Sequence, residues 1–294
     1  MTGSSGFLGS VIHHFLIIKG YGVTTLGIDK SEDYRIDLGN AIPILNERFK
    51  VVIHVAGLAH AYPKTKMENE QFDIVNYQGT INLCKSLERT CLPKSFIYIS
   101  SVAVYGLEEG KNINESYPLL GTTPYARSKI KAEIFLKDWC QRHNIVCGIL
   151  RPALIAGPDP PGNLGAMING ISKGTYLRIG KGSARRSMVL AEDVAGVIPK
   201  LMITGGTFNM CDNYHPSFIE LERILAKQVH KNDPVSIPVI IAKLLAILGD
   251  LMGNKSIITT KKLKKITSTL TFSNDLAKSV LGYQPRDVLG NFYI

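Results

Sequence analysis

The most restrictive feature of the chain stands at its start, where Thr2-Gly3-Ser4-Ser5-Gly6-Phe7-Leu8-Gly9 spaces its glycines as GxxGxxG and runs straight into a helical window. A turn of this kind needs positive φ, a backbone without a Cβ where it approaches a ligand, and a helix able to lie close on a strand. The free amides at the start of that helix, with its dipole behind them, attract an anion such as a pyrophosphate. An ordinary glycine-rich helix start has the same spacing, so the motif alone leaves both readings open. Only Met1 precedes Thr2, whereas a dinucleotide-binding turn follows a β-strand. The expectation is that the first strand is missing, with the neighbouring strand edges unpaired and the loop poorly held. Either the start lies too late or the chain is a fragment.

Short β-rich runs then alternate with helical ones up to about residue 151, as in a parallel sheet covered on both faces. The predicted strands are Val23 to Ile28, Lys50 to Val55, Ser95 to Ser100 and Ile145 to Leu150. The helical windows are Leu8 to Lys19, Met67 to Arg89 and Pro124 to His143. This is the order of a doubly wound α/β fold. Gly157, Pro158, Pro160, Pro161 and Gly162 break the alternation with a backbone suited to a domain crossing. The predicted organisation is a dinucleotide-binding domain over 1–156 and a smaller lobe over 157–294, with parts of 187–211 returning to the sheet.

With 294 residues, 45% of them hydrophobic, the chain is long enough to bury a large core and is not a disordered or small disulfide-stapled protein. A net charge of +10 favours an anionic partner: nucleic acid, a phosphorylated metabolite or a membrane surface. Basic residues are scattered without interleaved aromatics, which argues against nucleic acid. Five cysteines with no CxxC pair read as reduced cytosolic thiols, and the histidines show no metal-ligand spacing, so no metal is expected. Ile237 to Met252 is apolar but too short and too interrupted to span a bilayer, and the lysine cluster Lys261, Lys262, Lys264 and Lys265 follows it. The pair could dock on anionic lipid; a core helix followed by a solvated charge run is the favoured reading.

Thr123-Pro124-Tyr125-Ala126-Arg127-Ser128-Lys129 opens a helix, with Thr123 as cap and Pro124 at the first helical position. Tyr125 and Lys129, four apart, share one face. Lowering a phenol from its usual pKa of about 10 to about 7 takes roughly 4 kcal/mol. A cation about 5 Å away supplies up to roughly 3 kcal/mol of this at an effective dielectric of about 20. A second positive charge, such as an oxidised nicotinamide, would supply the rest, leaving Tyr125 fit to exchange a proton with a carbinol. Just upstream, Ser95 to Ser101 reads as a buried strand ending in hydroxyls, where open sheets place their ligands.

Together, Gly3 to Gly9, His54-Val55-Ala56-Gly57, Asn76 to Thr80, Ser100-Ser101-Val102-Ala103-Val104-Tyr105-Gly106 and Tyr125 to Lys129 resemble the extended short-chain dehydrogenase/reductases along nearly the whole chain. The likeness is greatest to the NAD-dependent epimerase/dehydratase branch, especially the nucleotide-sugar 4-epimerases. That resemblance implies a Rossmann sheet with a smaller C-terminal substrate-binding lobe, a cytoplasmic enzyme, and a UDP-hexose or UDP-N-acetylhexosamine substrate. It makes Tyr125 the acid/base, Lys129 a nicotinamide-ribose ligand and Ser101 a contact of the sugar's C4 oxygen. NAD would lie against Gly3, Ser5, Gly6, Phe7, Leu8, Gly9, Ala56, Gly57, Asn76 and Ser100. Spacing from Gly9 puts the acidic ribose ligand at Asp29, or leaves Gly27 at that post if the strand ends earlier, so NADP stays open. Asp37 and Leu38 would flank the adenine, unless Asp37 is a plain loop carboxylate.

Asn163, Leu164 and Arg186 would hold the nucleotide diphosphate, against the alternative of a solvated Arg185-Arg186 pair. His60 would touch the sugar, or lie exposed. The residues after Ser101 are Val102 and Ala103 rather than the acidic pair of the 4,6-dehydratases, which argues against a dehydratase. A 4-ketoreductase of 4-keto-6-deoxy nucleotide sugars needs the same Ser, Tyr and Lys, and a non-catalytic dinucleotide-binding protein or inactive fragment is the rival outside enzymes. A homodimer through the helices from Met67 and Pro124 is expected by resemblance.

Overall fold

Thr2 is hydrogen-bonded into two strands at once, and the sheet is arranged around it. In the computed structural model, which describes residues 1–59, 63, 65–252 and 259–294, the Thr2 amide donates to the Ile53 carbonyl at 2.9 Å. The Leu26 amide donates to the Met1 carbonyl at 2.8 Å. Thr2 thus bridges Leu26 and His54, both in parallel, and stands where the first strand of a doubly wound sheet belongs. The expectation of a poorly held loop is corrected here, because the backbone of Met1 to Gly3 bonds to Leu26 on one side and to Ile53 and Val55 on the other. Below it the strands part around a cavity of about 30 Å³ lined by Met1, Thr24, Leu26, Tyr34, Val52 and Leu87, among others.

The elements that carry the site are α1 (Phe7–Ile18), β1 (Leu26–Gly27), β2 (Val51–His54), α2 (Gly79–Thr90), β3 (Ser95–Ile99), α3 (Pro124–Arg142), β4 (Val146–Pro152) and β5 (Gly206–Met210). β2, β3, β4 and β5 pair side by side and parallel, and β1 pairs in parallel with the short strand Tyr34–Arg35. Every residue of β3 is buried, as its unbroken apolar run requires when helices cover both faces. On one face Leu8, Ile12 and Leu16 of α1 pack with Ile53, Ile97 and Ile99. On the other, Leu83 and Leu87 of α2 and Leu136 and Trp139 of α3 meet Phe96 and Tyr98. Both groups of apolar residues recur at helical spacing, which gives each helix one inward stripe.

Beyond β4, the strands Leu154–Ala156 and Met188–Leu190 pair in parallel. The helices Gly162–Ser172 and Phe218–Gln228 share a core of Leu164, Ile171, Leu221, Leu225 and Phe292. Gly206–Met210, which follows, is the sheet strand β5 itself. The apolar helix Val239–Met252 corrects an expectation. Among the side chains described in it, Ala242 and Ala246 turn inward, against Ile179, Ile237 and Leu263. Ile240, Ile241, Leu244, Leu245, Ile247 and Leu248 are exposed, so this is not a core helix. Its small residues define the packed stripe and its large ones the outer face, the reverse of the usual amphipathic order. All five cysteines are free thiols. Among the described residues no helix is long and apolar enough to cross a membrane.

Candidate active site

The glycine turn fits where larger residues would not. Gly3 has φ of +70°, and a Cβ there would lie 2.6 Å from the Ala56 amide nitrogen. A Cβ on Gly9 would come within 1.8 Å of the Gly3 carbonyl oxygen, so only glycine lets α1 start this close to the turn. No side chain caps α1 at Gly6, which leaves its first-turn amides directed at the cleft above the strand ends.

A hydrogen-bond chain ties the turn to the far side of the cleft. The Thr80 hydroxyl donates to the Asn76 carbonyl at 2.7 Å, so at its 3.0 Å contact with His54 Nε2 it accepts. His54 Nδ1 then accepts from the Thr2 hydroxyl at 2.7 Å, whose oxygen takes the Ala56 amide at 3.2 Å. This assignment of the ring proton follows from the network. Burial, with the charge of Lys129 behind it, pushes the His54 imidazole down to about 3, so the ring is neutral. Asn76 is fully satisfied: its Oδ1 accepts from the Leu58 amide at 2.7 Å, and its Nδ2 donates to the Leu58 carbonyl and to the Ser128 hydroxyl. Ala56 and Gly57 are thereby held between the glycine turn and α3.

Thr123 caps α3 by accepting from the Ala126 amide at 3.2 Å, which starts the helix so that Tyr125 and Lys129 face the end of β3. Lys129 Nζ donates to the Ile99 carbonyl at 2.8 Å and lies 4.6 Å from the centre of the Tyr98 ring. A Cβ on Gly57 would sit 3.2 Å from that nitrogen, so the glycine keeps the lysine accessible from the cleft. Burial lowers the Lys129 ammonium to about 8, and Glu133 opposes the shift. Ser101 accepts from the Ala103 amide at 3.1 Å, which leaves its hydroxyl proton to be given elsewhere. Burial raises the Tyr125 phenol above its ordinary value and a hydrogen bond with the Ser101 side chain draws it back. Lys129 does not lower it in this structure, contrary to the simple two-charge expectation, because the ammonium is turned onto the Ile99 carbonyl.

Sequence reasoning missed the buried group behind these residues. Glu133, on α3 one turn beyond Lys129, forms a two-pronged pair with Arg151: Nε reaches Oε1 at 3.0 Å and Nη2 reaches Oε2 at 2.6 Å. The Ser100 hydroxyl donates to Glu133 Oε1 at 2.5 Å, and Arg151 Nη1 donates to the Tyr105 hydroxyl at 3.0 Å. Burial disfavours the Arg151 charge, but Glu133 outweighs it and holds the guanidinium above its usual value. The available signal was Glu133 four residues after Lys129, on the same face.

The remaining predicted residues divide. Phe7 packs its ring on Gly157, Leu8 belongs to the core, and Ser5 is exposed. Ser100 gives its hydroxyl to Glu133 rather than to the cleft. Asp29 is not brought to the site: it is exposed, and its Oδ1 accepts from the Ser31 amide and hydroxyl at 3.0 and 2.8 Å. Those bonds hold its carboxyl below the usual range. Asp37 accepts from the Gly39 amide and the Asn40 side chain, while Leu38 is buried in the core beside Leu26 and Val52. Leu164 is buried too, so it can meet a ligand only through its backbone; Asn163, exposed, lies beside it in the first turn of the Gly162–Ser172 helix. Arg186 directs its guanidinium to the Ser268 carbonyl at 2.6 Å and to the Lys265 carbonyl, capping the end of the Thr260–Thr267 helix. His60 lies outside the described residues. A further acid that spacing did not find, Glu32, is buried at the end of β1 with its Oε1 unpartnered.

A parallel doubly wound sheet, a GxxGxxG turn under its centre and a Ser, Tyr and Lys set at the carboxyl ends of its strands define an extended short-chain dehydrogenase/reductase. The family model described as the NAD dependent epimerase/dehydratase family matches residues 1–211. The chain belongs to that family. It is 27% identical to a UDP-glucose 4-epimerase of Mycolicibacterium smegmatis, over 98% of this chain and 94% of that protein. An Escherichia coli O157:H7 protein, N-acetyl-alpha-D-glucosaminyl-diphospho-ditrans,octacis-undecaprenol 4-epimerase, is 28% identical over 67% of this chain and 62% of its own length. Among solved structures, the Thermotoga maritima UDP-glucose 4-epimerase with UDP-glucose superposes with a TM-score of 0.73 at 20% identity, covering 97% of this chain and 92% of that one. That likeness is one of fold. A nicotinamide dinucleotide fits the residues present: the turn at Gly3 and Gly9 has no room for a Cβ, and a buried carboxylate oxygen without a partner waits at the end of β1.

Proposed function

We propose that the protein is a cytoplasmic nucleotide-sugar 4-epimerase that works on a UDP-hexose or UDP-N-acetylhexosamine with NAD held in the cleft. In this reading Tyr125 takes the proton of the C4 hydroxyl as it becomes a ketone and returns it to that oxygen once the keto sugar, turned over, is reduced from its opposite face. Ser101, its oxygen already engaged by the Ala103 amide, donates its own proton to the C4 oxygen. Lys129 holds the nicotinamide ribose, and its ammonium favours the phenolate only once that contact draws it from the Ile99 carbonyl. NAD supplies the hydride acceptor and donor. The first-turn amides of α1, with Gly3, Ser5, Gly6 and Phe7, hold the pyrophosphate, while Ala56, Gly57 and Asn76 line the nicotinamide half. Backbone at Asn163 and Leu164 takes the substrate diphosphate, and Arg186 joins it by leaving the carbonyls it now caps.

The observation that carries this reading is the Lys129 bond to the Ile99 carbonyl. It fixes α3 against the end of β3, two residues before Ser101, with Tyr125 one helical turn nearer the cleft mouth. Dehydratases are among the relatives, the mouse dTDP-D-glucose 4,6-dehydratase at 25% identity for one. Val102 and Ala103 follow Ser101 here and offer no carboxylate to remove a C5 proton. Incubation with UDP-N-acetylglucosamine and UDP-glucose tests the reading. C4 inversion without added cofactor is the expected result, whereas stoichiometric NAD(P)H consumption with a 4-keto-6-deoxy nucleotide sugar replaces it with a ketoreductase. We also propose a homodimer through α3 and the helix Lys66–Phe72, whose Ile134 and Met67 are exposed; its mass in solution checks this.

A further inference from the structure

The turn after β1 buries a carboxylate of which the fold engages only one oxygen. Asp33 pins this turn by accepting from the Thr25 amide at 2.8 Å and the Thr25 hydroxyl at 2.9 Å. Glu32, next to it, is 7% exposed. Its Oε2 accepts from the hydroxyl of Ser4, inside the glycine turn, at 2.6 Å. Its Oε1 is buried without a hydrogen-bond partner, and among the described residues no lysine, arginine or histidine lies within ion-pair distance of it. A buried charged oxygen left unpaired is costly, so a structure that keeps one points to a donor arriving from outside.

Gly27, the last residue of β1, shows where that donor stands. A Cβ there would lie 2.9 Å from Glu32 Oε1. The glutamate therefore occupies the space into which a side chain at the strand end would project, which is where a dinucleotide's adenosine ribose is held by an acid. The side chain is missing from the strand and its carboxylate arrives from the following turn. Asp29 is spent on Ser31, and Arg35, the guanidinium nearest in sequence, is exposed and donates to the Ile28 carbonyl at 3.3 Å.

We propose that Glu32 binds the vicinal hydroxyls of the adenosine ribose and selects NAD over NADP. Oε1 accepts a hydrogen bond from a ribose hydroxyl, and a 2′-phosphate brought to the same place meets a carboxylate, with no lysine, arginine or histidine among the described residues paired to it. The inference rests on the cleft being a nicotinamide dinucleotide site.

Titration calorimetry of the full chain with NAD and with NADP tests it without reference to turnover. The wild-type protein is expected to bind NAD at least about 10-fold more tightly. Glu32→Gln weakens NAD by about 10- to 100-fold, as loss of a charged hydrogen bond does, and brings the two affinities together. Asp29→Asn changes neither. Gly27→Asp in a Glu32→Ala background restores NAD binding by returning the acid to the strand end, a rescue that a merely structural glutamate would not permit. Equal weakening of NAD and NADP by Glu32→Gln, or loss of NAD binding on Asp29→Asn with none on Glu32→Gln, overturns the proposal. So does a wild-type preference for NADP. If the wild-type protein binds neither dinucleotide, the nicotinamide reading falls with it.

Discussion

The Thr2 hydroxyl donates to His54 Nδ1 at 2.7 Å, so the residue between Leu26 and His54 is locked to the end of β2 by a buried, uncharged imidazole. The lock requires the neutral ring, since a protonated Nδ1 would face the hydroxyl donor-to-donor. Burial takes the folded pKa to about 3, against about 6.5 for an unperturbed histidine. The unfolded chain therefore binds the extra proton first. The stabilisation is complete above pH about 6.5 and is lost as pH falls toward 3, at about 1.4 kcal/mol per pH unit. Urea unfolding at pH 7, 6 and 5 should show this slope in the wild-type protein. His54→Gln should flatten it, while being less stable than wild type at pH 7.

The Glu133–Arg151 pair is fully buried, and removal of one partner leaves the other charged and dry. Glu133→Gln is expected to destabilise the fold by about 3–5 kcal/mol, read from the midpoint of urea unfolding. The double change Glu133→Leu and Arg151→Met should cost less than the single one, since it leaves no guanidinium stranded. A cost of Glu133→Gln under about 1 kcal/mol would show that water reaches the pair.

How far the sequence speaks for the structure depends on which residues carry the message. Strands β2, β3 and β4 and helices α1 and α3 lie within a residue or two of their predicted bounds, because buried apolar runs and the Thr123-Pro124 cap are local signals. Tyr125, Lys129 and Ser101 were equally legible, since helical spacing and the end of a strand place them. What was not legible is long-range. Thr2 pairs with residues more than 20 and more than 50 positions away, so its place in the sheet is visible only in three dimensions. Glu32 was missed for a related reason: counting along the chain points to Asp29, whereas the turn pinned by Asp33 folds Glu32 against Gly27 at the strand end. The outward face of Val239–Met252 was misread because large apolar side chains ordinarily mark the packed stripe, and here the alanines do.

Tyr125→Phe removes the one hydroxyl proposed to exchange a proton with the substrate and leaves the ring that packs against Phe72 at 6.2 Å between centres. A loss of about 10²- to 10⁴-fold in kcat is expected, with NAD affinity and melting temperature within error of wild type. Ser101→Ala acts through the same phenol. The Ser101 hydrogen bond draws the Tyr125 pKa down against burial, so its removal should move the limb of the kcat/KM profile that reports this ionisation to higher pH.

Lys129 sets function against stability. Its folded ammonium titrates at about 8 because burial disfavours the charge, whereas an unfolded lysine titrates at about 10.4. Between those values the unfolded chain holds more protons, so this residue makes the fold more stable as pH rises from 8 to 10 and costs stability below 8. At pH 7 the buried charge therefore opposes folding, and Lys129→Met, which fills much of the same volume without it, should be more stable than wild type by about 1–3 kcal/mol. The gain is reduced by the Ile99 carbonyl, which loses its 2.8 Å donor. The same variant should lose at least about 100-fold in turnover if the ammonium supports the Tyr125 phenolate. Unfolding curves at pH 7 and pH 10 check both halves. The stability advantage of Lys129→Met should shrink at pH 10, where the wild-type lysine is already neutral, and an advantage that is the same at both pH values would mean the charge is not its cause.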